Sequence, residues 1–77
     1  MPHEKLKSIA DIGALVCLKR KEQKLSQEDL AGLANTGTRF ISDLENGKQT
    51  IQTGKLLRVL TALGLGMYVF SRWEQDE

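Results

Sequence analysis

The segment that most constrains this chain is residues 25–47, LSQEDLAGLANTGTRFISDLENG, because it carries two helix signals with almost nothing between them. Ser26 precedes Gln27, Glu28 and Asp29. Its hydroxyl can accept from the free amides of a starting helix, and Asp29 stands at the reciprocal capping-box position. Leu30, Leu33 and Ala34 follow at spacings of three and four, which predicts a small apolar face. Asn35-Thr36-Gly37 interrupts that periodicity with residue types that accept left-handed backbone. Ile41 and Leu44 resume it, and Asn46-Gly47 predicts the end of a second helix. Two helices joined this closely bury their apolar faces only by crossing at a wide angle, as in a helix-turn-helix.

The flanks supply the rest of a core. Residues 1–7 show neither cap nor periodicity and are expected to form an arm. Ser8-Ile9-Ala10-Asp11 repeats the capping-box pattern and predicts a first helix, with Ile12, Leu15, Val16 and the nearby Leu18 as its apolar face. Residues 19–24 end it with positive charge, which suits the negative end of a helix dipole. After the central segment comes a polar loop in which Thr50, Gln52 or Thr53 can cap a further helix. Leu56, Leu57, Val59, Leu60 and Leu63 make its dense apolar stripe, Leu56, Leu60 and Leu63 are assigned to the core, and Gly64 and Gly66 end it.

Residues 67–73, MYVFSRW, are rich in β-branched and aromatic types and predict a strand, the only strand signal in the chain. A lone strand leaves its backbone donors and acceptors unpaired. Pairing with its own copy across a two-fold axis solves this, through Met67, Tyr68, Val69, Phe70 and Arg72. The competing expectation is an irregular tail packed on its own core. The predicted layout is an arm (1–7), a helical domain (8–64), a dimerisation strand (65–73) and an acidic tail (74–77).

Composition limits what such a chain can do. At 77 residues there is room for one modest core, a size at which dimerisation is a natural remedy for marginal stability. No apolar run approaches the roughly 20 residues of a membrane span, and MPHEKLKS lacks the apolar centre of a secretory signal, so a cytoplasmic location is expected. Cys17 is the sole cysteine, expected to be a small buried apolar residue, and His3 has no second histidine or cysteine near it. No metal and no cofactor are therefore expected. Nor is an enzyme, since no nucleophile lies beside a base and no glycine-rich phosphate loop is present. The net charge is +1, but Glu74, Asp76 and Glu77 contribute −3 of it, leaving +4 on the remainder, with Lys19, Arg20, Lys21 and Lys24 before the central segment and Lys48 and Lys55 after it. Such flanks can meet phosphates or merely be solvated.

The order Leu25-Ser26-Gln27, Leu30-Ala31, Ile41-Ser42, Leu44-Glu45-Asn46-Gly47 resembles the lambda-repressor and Cro-like (XRE) DNA-binding domains over roughly residues 12–63. The resemblance implies a mainly α fold of four to five helices, here with one C-terminal strand pairing across a homodimer. It also implies a sequence-specific repressor of an inverted-repeat operator in double-stranded DNA. Lys55-Leu56-Leu57-Arg58-Val59-Leu60, then Leu63-Gly64-Leu65 and an apolar strand, is similar to the HipB-type antitoxins. Those dimerise through such a strand and repress the operon that encodes them with a HipA-type kinase toxin.

Carried over by position, the resemblance puts Gly37, Thr38 and Arg39 at the base-facing start of the second helix, with Ser42 and Asp43 a turn further on. Arg39 fits the O6 and N7 acceptors of guanine, with phosphate contact as its alternative, and Thr38 can donate to a base or meet a thymine methyl. Gly37 departs from the polar residue usual there and can act only through backbone approach or DNA shape. Asp43 can accept from cytosine N4 or pair with Arg39. Ser26 and Gln27, with Lys48 and Arg20, are expected to hold phosphates. Phe40 is left between a DNA contact and a core role. Two other functions stay open: a protein-interaction module on the same fold, and a stand-alone phage-type repressor without a toxin.

Overall fold

The computed structural model describes Leu6 and residues 8–67. The expected arm including His3, the strand residues from Tyr68 on and the acidic tail lie outside the described residues. Among the described residues the chain forms four helices: α1 (Ile9–Glu22), α2 (Gln27–Leu33), α3 (Thr38–Glu45) and α4 (Thr53–Ala62). The mainly α fold is as expected.

The starts of the first two helices follow the capping logic. Ser8 Oγ accepts from the Asp11 amide at 3.3 Å. Ser26 Oγ accepts from the Asp29 amide at 2.9 Å while Asp29 Oδ2 accepts from the Ser26 amide at 2.9 Å, a complete capping box. Those bonds hold the Asp29 carboxyl below its ordinary pKa. Gln52 is the N-cap of α4 but makes no side-chain cap bond.

All four helices end the same way. Lys24, Asn35, Gly47 and Gly64 each adopt positive φ, at 59°, 55°, 79° and 78°. In each case the next residue's amide returns to the carbonyl five residues back: Leu25 to Arg20, Thr36 to Ala31, Lys48 to Asp43 and Leu65 to Leu60. These are Schellman closures, which satisfy carbonyls that a helix end leaves open. In the turn between α2 and α3 the left-handed residue is Asn35. Gly37 is extended at φ −90° as the N-cap of α3.

The core is Val16 of α1, Leu30, Ala31 and Ala34 of α2, Ile41 and Leu44 of α3, and Leu56, Val59, Leu60 and Leu63 of α4. Three apolar assignments need correction. Leu18 is exposed because it lies two residues, or roughly 200°, beyond Val16 around α1. Leu33 is 63% exposed, since the buried stripe of the short α2 runs along Leu30, Ala31 and Ala34 and passes it by. Leu57 is 44% exposed on the outer side of α4. Cys17 is half-buried rather than buried.

Gly13 was not singled out by periodicity, yet it sets how closely α1 and α3 approach. A Cβ there would run into the Leu44 carbonyl group. Gly47 is similarly crowded, with Ala10 of α1 3.1 Å from where its Cβ would stand.

Candidate nucleic-acid interface

Helix α3 has a fixed inner side and an open outer side. Ile41 and Leu44 are fully buried, whereas Thr38 and Arg39 are exposed and Ser42 and Asp43 half-exposed. The structure thus brings Thr38, Arg39, Ser42 and Asp43 together on one outward strip, with Gly37 at its head. At Gly37 a Cβ would meet no atom within 4 Å, so the front of the helix is open to solvent.

What clamps the inner side is a network that sequence reasoning missed. Arg20 Nε and Nη2 donate to the two Glu45 carboxylate oxygens at 2.7 and 3.0 Å, and Nη1 donates to the Leu25 carbonyl at 2.8 Å. Gln27 Nε2 donates to Glu45 Oε1 at 3.0 Å. Cys17 Sγ lies 3.8 Å from Arg20 Nη2. The paired side chains are only 10% and 6% exposed. Burial pushes the Glu45 carboxyl upward, but the bonds from Arg20 and Gln27 outweigh it and leave its pKa below the ordinary value. The hydrogen bond to Glu45 raises Arg20 in turn, despite burial. A planar fork held bidentately ties the C-terminal parts of α1 and α3 to the start of α2.

This network corrects two expectations. Arg20 is not available as a phosphate clamp: the residue is 8% exposed and its guanidinium is bound on three nitrogens. The Gln27 side-chain amide is likewise committed to Glu45, leaving the backbone amides at the start of α2 and the exposed Ser26 as the groups there that face solvent. A signal existed, because Arg20 lies four residues after the core residue Val16, and Glu45 four after Ile41. Both polar residues therefore continue buried stripes.

Asp43 pairs with Lys48, Nζ to Oδ2 at 3.5 Å, and not with Arg39. The Schellman closure places Lys48 for this, since its amide already returns to the Asp43 carbonyl. Arg39 forms no hydrogen bond or ion pair with any described residue, so its guanidinium is free to meet a ligand. Phe40 is half-buried against the core with Lys55 Nζ 5.8 Å from its ring centroid, which favours the core role. On the far side of the motif, Arg58 of α4 donates to the carbonyls of Ala34 and Asn35 at 3.1 and 3.3 Å, and Gln23 donates to the Leu63 carbonyl at 2.9 Å. Among the described residues no helix is long and apolar enough to cross a membrane, and no cluster of three or more His, Cys, Asp or Glu could hold a metal ion.

Comparison with known proteins agrees with this geometry. The HTH_3 (helix-turn-helix) family matches residues 18–70. The chain is 51% identical over 72 residues to the HTH-type transcriptional regulator y4mF of Sinorhizobium fredii (strain NBRC 101917 / NGR234), covering 94% of this chain and 95% of that protein. It is 33% identical over 63 residues to the ImmF control region 10 kDa protein of Bacillus phage phi105, covering 82% and 70%. In fold it is similar to a solved HipA-HipB-O2-O3 complex, with TM-score 0.82, 21% identity and coverage of 91% of this chain and 99% of that one. A HipB-O4 20mer complex gives TM-score 0.81, 21% identity and coverage of 91% and 99%. The chain belongs to the helix-turn-helix family of DNA-binding transcriptional regulators.

Proposed function

We propose that the protein is a dimeric, sequence-specific repressor acting in the cytoplasm on an inverted-repeat operator. The observation that carries this is the asymmetry of α3. Its inner side is clamped by Glu45 to Arg20 and Gln27, while its outer strip presents Thr38, Ser42 and an unpaired Arg39. A helix held this firmly from behind, with a free guanidinium in front, suits insertion into a major groove. Arg39 reads guanine, Thr38 and Ser42 donate to bases or meet a thymine methyl, and Gly37 allows close backbone approach. Ser26, the amides of α2 and Lys48 hold phosphates on either side. Asp43 lies beside Lys48, which lessens the repulsion that a bare carboxylate would bring to DNA and leaves the exposed ammonium able to meet a phosphate as well. Two copies reach successive major grooves roughly 34 Å apart, each joined to the other through residues 67–73.

The likeness to HipB complexes supports a further step, in which this repressor is the antitoxin of a kinase toxin encoded beside it. A stand-alone phage-type repressor is the second reading, favoured by the phi105 control-region relative. Fluorescence anisotropy with DNA from upstream of the gene tests the repressor role. Log K is expected to fall linearly with log salt, by roughly 0.9 for each phosphate neutralised. Flat or absent binding would overturn it. Co-purification of a neighbouring kinase-like product separates the two readings.

A further inference from the structure

The outward strip of α3 carries an acid. Asp43 is half-exposed one turn after Arg39, in a helix whose inner side is filled by Ile41 and Leu44. Among the described residues the carboxylate's one polar partner is Lys48 Nζ, 3.5 Å from Oδ2, with the Asp43 and Lys48 side chains 32% and 52% exposed. Arg39, four residues back, does not pair with it. A carboxylate on a surface that meets phosphates weakens binding to any DNA, and that sequence-independent cost is the clue to its use. We propose that Asp43 is a specificity-determining residue that works by exclusion: its carboxylate admits a cytosine opposite it and penalises the other three bases. The proposal rests on the DNA-binding reading above and adds which base edges that surface refuses.

Position, acceptor capacity and tethering carry this. Asp43 shares the outer side of α3 with Arg39, and the Glu45 bonds to Arg20 and Gln27 hold that helix from behind, so a groove that receives Arg39 receives Asp43 as well. An ionised carboxylate has about four lone-pair sites, and one ammonium at 3.5 Å leaves most of them open. Docking takes water from those sites, which costs free energy unless a donor replaces it. Lys48 is tied to Asp43 through the backbone, its amide donating to the Asp43 carbonyl at 3.0 Å around Gly47 at φ 79°. It therefore stays close when DNA binds and offsets repulsion from phosphates without saturating either oxygen. In the major groove guanine offers O6 and N7, thymine O4 and a methyl group, and adenine N7 beside its N6 amine, whereas cytosine offers its N4 amine alone. Cytosine is thus the one edge that supplies a donor with no acceptor next to it. Specificity is a difference of affinities, and repulsion of the wrong base serves it as well as attraction to the right one. Residues four apart on a helix stand roughly 5–6 Å apart and stacked base pairs roughly 3.4 Å, which places the cytosine one or two base pairs from the guanine of Arg39.

The test measures binding of the full chain to DNA from upstream of the gene, to the same duplex substituted one base pair at a time, and to a random-sequence duplex of equal length. Asp43→Asn keeps the shape of the side chain and removes its charge, and Asp43→Ala removes both. Each variant should bind the random duplex about 3- to 10-fold more tightly and lose about 10-fold of discrimination at one C·G pair in each half-site, with preference at the other positions kept. Asp43→Asn should also gain acceptance of adenine there, because an amide fits N6 and N7. Lys48→Gln should weaken binding to all the duplexes alike and keep the cytosine preference. Equal tightening on every duplex with that preference intact would make Asp43 a surface charge and overturn the proposal. Variants that melt at lower temperature yet discriminate as the unmodified protein does would overturn it too, by making the pair with Lys48 structural. If the unmodified protein binds none of these duplexes, or all of them equally, the DNA-reading function fails and the proposal with it.

Discussion

Two seams run through this small domain, and they are built on opposite plans. The seam between α1 and α3 is closed: Gly13 lets the α3 backbone come against α1, and the nearly buried Arg20–Glu45 pair locks them at one end. The seam between α2 and α4 is open: its inner part holds Leu30, Ala34, Leu56 and Val59, but its outer part shows Leu33 and Leu57 to solvent. Geometry-specific groups sit behind α3, where they fix its position against α1. Non-directional apolar surface is left facing solvent on the other seam. A bidentate guanidinium fixes distance and angle, whereas exposed leucines tolerate a range of occupants.

The largest effect should come from breaking the closed seam chemically. Glu45→Ala leaves the Arg20 guanidinium nearly buried without its partner and should cost about 3–5 kcal/mol in urea unfolding, enough to unfold much of a domain this small. The same pair predicts a pH dependence. Because the Glu45 pKa is lowered in the folded state, its stabilising contribution is full above the ordinary value of 4.5 and is lost as pH falls below it through the folded pKa. Thermal melts between pH 7 and 3 should show this loss, and Glu45→Gln should flatten the curve in that window.

Next comes Gly13→Ala. By helix propensity alone it should stabilise α1 by about 1 kcal/mol. Because the added methyl meets the Leu44 carbonyl, the account predicts a net loss of about 2–3 kcal/mol instead, so the sign itself is the test. On the open seam the effects should be smaller. Arg58→Ala removes two bonds to the end of α2 and should cost about 1 kcal/mol in urea unfolding. Smallest and opposite in sign is Lys24→Gly, which relieves a non-glycine residue at φ 59° and should stabilise by about 0.5–1 kcal/mol in the same assay.

The closed seam was the less legible of the two in the sequence, although it carries more of the architecture. Helix starts could be read because caps are local: Ser8, Ser26 and Asp29 signal through residues three positions away. The C-terminal closures at Gly47 and Gly64 could be read for the same reason. Lys24 could not, since lysine rarely takes left-handed backbone and its charge already suggested a dipole role. Arg20 looked like one more basic residue in a cluster: its spacing from Val16 marks it for burial, but nothing local names a partner 25 positions away. Leu33 failed for a different reason. Spacings of three and four identify a helical face, but in a seven-residue helix they do not decide where along that face burial stops. The outward strip of α3 was reached through the family resemblance, which put Thr38, Arg39, Ser42 and Asp43 on the outer side, while the spacing of Ile41 and Leu44 fixed only the inner one.

The most direct test is competition anisotropy of the full chain on DNA from upstream of its gene and on duplexes substituted one base pair at a time, with the unmodified protein and Arg39→Ala side by side. The account predicts that Arg39→Ala loses about 10- to 100-fold of discrimination at one G·C pair in each half-site, with the other positions and the melting temperature nearly unchanged. Uniform weakening at every position, or an unaltered preference, would contradict the claim that the outer side of α3 reads the DNA.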